Sequence, residues 1–132
     1  MSCFSDIEEA REFFKGDRFA ASNGMRIVSL REDGCVCEAD IRDDHRNALG
    51  GIMGGVIFTL ADFAFAVASN NDHRPTVSLD SDIRFLSSSK GSRLTAAAKL
   101  IKSGKTTSVF RVDVTDETGK DVALFTGTGY KL

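Results

Sequence analysis

From residue 49 to residue 71 the chain reads LGGIMGGVIFTLADFAFAVASNN, two glycine pairs followed by a segment that is apolar at nearly every position. A helix apolar all round, rather than along one stripe, is one enclosed by protein, so this stretch predicts a buried central helix. One carboxylate interrupts it. Val56, Ile57, Phe58, Leu60 and Ala61 run into Asp62, after which the apolar run resumes over residues 63–68. Beyond the helix the period changes to two. In residues 76–86, Val77, Leu79, Ile83 and Phe85 oppose Thr76, Ser78, Asp80, Asp82 and Arg84; in residues 106–115, Phe110, Val112 and Val114 oppose Arg111 and Asp113. With residues 93–102 and 121–131 these make four predicted strands, separated by turns at 87–92, 103–105 and 116–120.

Ahead of the helix, Ser5-Asp6-Ile7-Glu8 has a capping-box pattern, Ala10, Phe13 and Phe14 follow at helical spacing, and Gly16 is a stop, which predicts a short N-terminal helix. Residues 24–31 and 35–41 read as two strands around Asp33-Gly34, a hairpin signal. Six strands, with one long apolar helix between the second and third, predict an α+β domain in which a curved antiparallel sheet wraps that helix. At 132 residues, 42% of them hydrophobic, the chain suits a single domain spanning residues 1–132.

Charge narrows the function classes. A formal charge of -2 and no Lys/Arg run leave no electrostatic footprint for nucleic acid. The central segment is too interrupted by Thr59, Asp62 and glycines to read as a membrane span. The odd count of cysteines (Cys3, Cys35, Cys37) and an opening MSCFSDIEEA without the layout of a signal peptide predict a cytoplasmic protein with reduced thiols. Cys35, Cys37, Ala39 and Ile41 alternate with Val36, Glu38 and Asp40, so both thiols fall on one strand face. With no matching Cys or His pair elsewhere, they read as core thiols rather than a metal clip.

The candidate chemistry gathers on the central helix. A buried carboxylate needs a hydrogen-bonding partner, a raised pKa or a chemical role, which singles out Asp62. At the other end, the N–H groups of Gly54 and Gly55 precede the hydrogen-bonded ladder and carry the positive pole of the helix dipole, a suitable place for a developing oxyanion. Eight residues separate Gly54 from Asp62, roughly 12 Å at helical rise, too far for one small reacting group to touch both. Two copies packed with these helices antiparallel would bring the start of one to the middle of the other, which predicts a homodimer with shared sites. In the preceding polar loop, His45 reads as a solvated residue beside Asp43, Asp44 and Arg46. Asn47 either binds a carbonyl or water or simply caps the loop. Thr59, one turn before Asp62, either donates to its carboxylate or bonds its own backbone, and the Ser78 hydroxyl either places a water or lies on an exposed strand face. Lys90, Arg93, Lys102 and Lys105 are scattered cations available to phosphate groups.

The string Asn47-x-x-Gly50-x-x-Met53-Gly54-Gly55-x-x-x-Thr59-Leu60-Ala61-Asp62 resembles the signature of PaaI-like (phenylacetate-degradation-type) hotdog-fold thioesterases, which carry an Asn, His-Gly-Gly six residues on, and Leu-x-Asp on the central helix. One position departs: the family's His is Met53. The resemblance implies a hotdog fold and hydrolysis of an aryl or short- to medium-chain acyl-coenzyme A. Gly54 and Gly55 amides would polarise the thioester carbonyl, Asp62 of a neighbouring subunit would act as general base or nucleophile, and Asn47, Ser78, Thr59 and Met53 would line the site. It implies coenzyme A as part of the substrate, no other cofactor or metal, and a homodimer that pairs further into a tetramer. Met53 leaves one alternative open, an acyl-coenzyme A binding or sensing protein without turnover. A hotdog dehydratase would need a His beside the carboxylate, and neither the start of the helix nor the residues after Asp62 supply one.

Overall fold

A computed structural model describes residues 2–132. The elements run α1 (Ile7–Phe14), α2 (Arg18–Ser22), β1 (Arg26–Arg31), β2 (Gly34–Asp40), a 3-10 turn (Asp43–His45), α3 (Gly54–Asp72), then β3 (Thr76–Phe85), β4 (Arg93–Ser103), β5 (Thr107–Asp116) and β6 (Asp121–Lys131). The strands form one antiparallel sheet in the order β1-β2-β4-β5-β6-β3, and α3 packs on it against β2 to β6. This is the expected α+β hotdog arrangement of a sheet around a central helix.

The core lies between α3 and the sheet. Leu60, Ala61, Ala64, Phe65, Val67 and Ala68 of the helix meet Cys35, Cys37, Ala96, Ala98, Phe110, Val112 and Phe125 of the strands, all buried. Close approach depends on glycine at Gly127, where a Cβ would stand 2.9 Å from the Phe65 and Phe125 rings. Cys35 and Cys37 face this core as the alternation predicts; the Cys35 thiol donates to the Ala64 carbonyl at 3.2 Å. Hydrogen bonding to Cys35 and then burial push the Cys37 thiol well up, which keeps it protonated.

Four features differ from the sequence reading. The first helix is capped by Asp6, which accepts the Glu9 N–H at 2.8 Å, while the Ser5 hydroxyl binds the Glu9 side chain; the cap is thus one residue later than the capping-box pattern placed it. The short helix α2 was not predicted; five residues are too few to show a helical period. His45 is buried, contrary to the solvated reading. In β3 the pairing with β6 skips Leu79, a bulge that ends the simple two-residue alternation. Val77, Leu79 and Phe85 remain 47%, 62% and 56% exposed. Since β3 is an edge of the sheet, these side chains leave an apolar edge uncovered in the single chain.

Candidate active site

Helix α3 begins at Gly54, with Met53 in extended backbone as its cap and no side chain closing it. The first N–H groups with an acceptor inside the helix are those of Val56 and Ile57, both bonded to the Met53 carbonyl at 3.0 and 3.3 Å. The Gly54 and Gly55 amides therefore stand ahead of the ladder at its positive end. A Cβ on Gly54 would lie 3.2 Å from the Phe85 ring, and one on Gly55 3.2 Å from the Met53 methyl. Glycine thus lets an aromatic ring and a thioether lie against the start of the helix.

The loop before it is tightly folded. Asn47 donates its N–H to the Gly51 carbonyl at 2.8 Å, and its Oδ1 accepts the N–H groups of Leu49 and Gly51 at 3.0 and 3.1 Å. Its oxygen is therefore committed to shaping the glycine turn, while its Nδ2 has no acceptor among the described residues. The Met53 N–H is held by the His45 carbonyl at 2.9 Å. His45 itself is 1% exposed. Its Nδ1 accepts the Arg42 N–H at 3.1 Å, which puts the ring proton on Nε2, and that nitrogen donates to Asn23 Oδ1 at 3.0 Å. Burial, then the Arg42 charge, lower the His45 pKa, against an opposing pull from Asp44. The imidazole is a satisfied neutral strut joining α2 to the start of α3, and a loop His with local partners carries no sequence mark of that.

Cavities open on the helix at three places between Gly54 and Asp62. The largest, about 280 Å³, lies beside Met53, Gly55, Val56 and Thr59 and is closed by Phe19, Met25 and His45. A second, about 250 Å³, holds Asp62 together with Asp17, Phe19, Phe58 and Thr59. Phe19 and Thr59 form the wall common to both. A third, about 260 Å³, opens at Gly54 between Ile57, Phe85 and Leu86.

Asp62 is half-buried, and among the described residues its carboxylate has no hydrogen-bond or ion-pair partner. Burial, followed by the charge of Asp17, raises its pKa above the usual carboxylate range. Thr59 does not relieve it, because its hydroxyl donates to the Gly55 carbonyl at 2.7 Å. Asp17 is a contributor that sequence reasoning missed, because nothing local shows which carboxylate lies across the cavity.

The remaining candidates are dispersed. Ser78 is exposed on β3, with its hydroxyl 3.2 Å from that of Ser81, and within one chain it is Phe85, not Ser78, that reaches Gly54. Lys90, Arg93, Lys102 and Lys105 are all exposed. Lys90 stands on the β3–β4 loop near the start of α3, whereas Lys102 and Lys105 flank the β4–β5 turn by the other end of the helix, where Ser103 binds Asp72 at 2.7 Å. Among the described residues no His, Cys, Asp and Glu side chains cluster as a metal site, and no helix is long and apolar enough to cross a membrane.

Residues 49–123, which include all of α3, match the thioesterase superfamily. The acyl-coenzyme A thioesterase PaaI of Escherichia coli is 31% identical over 126 residues, 95% of this chain and 90% of that protein. The solved structure of E. coli PaaI, from the phenylacetic acid degradation operon, superposes with a TM-score of 0.88 over 93% of this chain and 90% of that one. A hypothetical thioesterase of Streptococcus pneumoniae, solved with coenzyme A, is 28% identical with a TM-score of 0.82, covering 90% of this chain and 94% of that one.

Proposed function

The chain belongs to the thioesterase superfamily, as a PaaI-like hotdog thioesterase, and on that premise we propose that it hydrolyses an aryl or short- to medium-chain acyl-coenzyme A at a site shared by two copies. The observation that carries this reading is the division of chemistry along α3. Free amides stand at Gly54 and Gly55, and an unpaired carboxylate with a raised pKa stands at Asp62, roughly 12 Å further on. A second copy with its helix antiparallel brings one chain's amides to the other's carboxylate. The uncovered apolar edge at Val77, Leu79 and Phe85 supports such a pairing, since Phe85 lies directly on Gly54.

In this reaction the Gly54 N–H, with that of Gly55, donates to the thioester carbonyl oxygen and holds the oxyanion of the tetrahedral intermediate. Asp62 of the neighbouring copy takes a proton from water as the water oxygen bonds to the carbonyl carbon. Collapse of the intermediate breaks the C–S bond, and the departing coenzyme A thiolate is released with a proton. Nucleophilic attack by Asp62 itself, through an anhydride that water then opens, fits the same placement. The Asn47 Nδ2 is free to hold substrate or water, the Ser78 hydroxyl would do so by exchanging its Ser81 partner, and Met53 and Thr59 line the acyl side. No metal or further cofactor enters these steps. Two such dimers would make the tetramer.

Met53 supports a second reading. Its methyl lies against Gly55, where the family pattern has an imidazole, and a thioether offers no donor. If that donor is indispensable, the pocket binds acyl-coenzyme A without turnover. A thiol-release assay across benzoyl-, phenylacetyl-, short- and medium-chain acyl-coenzyme A, with equilibrium binding measured alongside, separates the two. Turnover that vanishes in Asp62→Asn supports the hydrolase; tight binding with no released thiol supports the sensor.

A further inference from the structure

The start of α3 is braced from outside its own loop. The Ile52 N–H donates to the Ser89 carbonyl at 2.9 Å, and a Cβ on Gly51 would stand 3.4 Å from that same oxygen. Ser89, in the loop between β3 and β4, is buried, and its hydroxyl donates to Asp116 Oδ2 at 2.7 Å while accepting the Gly91 N–H at 3.0 Å. Asp116, at the end of β5, is also buried. Its Oδ1 takes the Thr118 hydroxyl at 2.6 Å, the Thr118 N–H at 2.9 Å and the Lys120 N–H at 3.2 Å. These bonds from Thr118 and Ser89 hold the Asp116 carboxyl down at about 2, so it is ionised throughout the working pH range. From the far side, Lys120 Nζ binds the Ser88 carbonyl at 2.6 Å and Arg46 binds the Gly91 carbonyl at 3.1 Å.

Three loops distant in sequence thus meet two residues ahead of the Gly54 amide. We propose that Asp116 and Ser89 are positioning residues that aim the Gly54 and Gly55 donors at the oxyanion, a role that rests on the thioesterase reading. An oxyanion donor is effective only when its direction is fixed before reaction, and a misplacement of about 1 Å costs on the order of 10²-fold in rate. The internal bonds of Asn47 shape the glycine loop but do not anchor it to the sheet. The Ser89 carbonyl does, through a side chain fixed at both its donor and its acceptor, and the anchor it grips is a charge at the end of β5.

Asp116→Asn is the selective variant. Its Oδ1 keeps the three bonds of the turn, but the opposing amide donates to the Ser89 oxygen, so the charge-assisted bond becomes a neutral one and the Ser89 hydroxyl proton loses its acceptor. Ser89→Ala removes the link altogether from the other side. In both variants kcat should fall by roughly tenfold to a hundredfold with KM within about twofold. Hydrogen exchange at the Ile52 and Met53 amides should quicken at least about tenfold, while core amides such as Ala98 and Phe125 keep their protection. Unchanged exchange at Ile52 and Met53, uniformly faster exchange across the sheet, or a looser loop with wild-type kcat would each overturn the proposal. A wild-type protein inert toward every acyl-coenzyme A would instead overturn the hydrolase reading, and the two failures are distinguishable because the exchange contrast does not depend on turnover.

Discussion

The two functional ends of α3 are built in opposite ways. At Gly54 the backbone is fixed from several directions: Asn47 inside the loop, the His45 carbonyl on Met53, the Ser89 carbonyl on Ile52 and the Phe85 ring on the glycine itself. At Asp62 the carboxylate has no partner among the described residues, Asp17 in the same cavity repels it, and the Thr59 hydroxyl beside that cavity is turned to the backbone. On the proposed reading, a single chain therefore completes the donor half of an oxyanion site and leaves the base half unsatisfied. Partly buried carboxylates are costly without compensation, so the contrast points to a group from outside the chain facing Asp62. In the proposed reaction that group is the substrate, held by the other copy's helix terminus.

Each half can be broken separately. The largest effect is expected from Asp62→Asn, which keeps the shape and removes the base. Its kcat should drop by about 10²- to 10⁴-fold in a thiol-release assay, with thermal unfolding and acyl-coenzyme A binding close to wild type. Unchanged kcat would remove Asp62 from the chemistry. Next comes Gly54→Pro, which deletes the amide donor at a helix position that accepts proline, following a Met53 whose ψ of 137° already suits the residue before proline. The added ring displaces the exposed Phe85 side chain, and kcat should fall by about 10²- to 10³-fold while circular dichroism keeps the helix signal. A fall below tenfold would show that Gly54 is not the principal donor.

Met53→His probes whether the donor half is already complete. If the backbone amides carry the oxyanion, the imidazole changes kcat/KM by no more than about tenfold, or roughly 1.4 kcal/mol, and mainly alters acyl preference. A gain of hundreds-fold on substrates that the wild type binds without turning over would make the natural chain a binding protein. The smallest effect is expected from Asp17→Asn. Asp17 adds to the burial that raises the Asp62 pKa, so removing its charge lowers that pKa toward the ordinary carboxylate value. A base must be ionised to act, so the acidic limb of the kcat–pH profile should move to lower pH with the plateau unchanged. A limb that stays in place would show that the Asp17 charge does not reach the base in the assembled protein.

Sequence periodicity was enough for the frame. The all-round apolar run located α3, and β6 has the bounds that the alternation predicted at 121–131. The candidate chemistry of α3 stood out for the same reason: a carboxylate and a glycine pair interrupt the pattern of an apolar helix. What stayed hidden depends on contacts between distant residues. His45 sits among polar neighbours in sequence, and only folding against Asn23, 22 residues away, buries it. Ser89 lies in a serine-rich loop where no local signal separates the buried hydroxyl from its exposed neighbours. Its partner Asp116 reads as an ordinary turn residue until the β5–β6 turn meets the β3–β4 loop. The bulge at Leu79 shows the limit within a strand, since one skipped pairing is enough to change which side chains an alternation buries.

The claim that the site is assembled from two chains is tested most directly by complementation. Asp62→Asn and Gly54→Pro chains, each inactive alone, are unfolded together, refolded as an equal mixture and assayed for thiol release. A mixed dimer contains one site with both changes and one with neither, because the intact Gly54 of one chain meets the intact Asp62 of the other. Random pairing should therefore restore about a quarter of wild-type activity. A mixture no more active than its parents, with mixed dimers demonstrated by mass spectrometry, would mean that Gly54 and Asp62 of the same chain serve the same site, and would contradict the shared-site account.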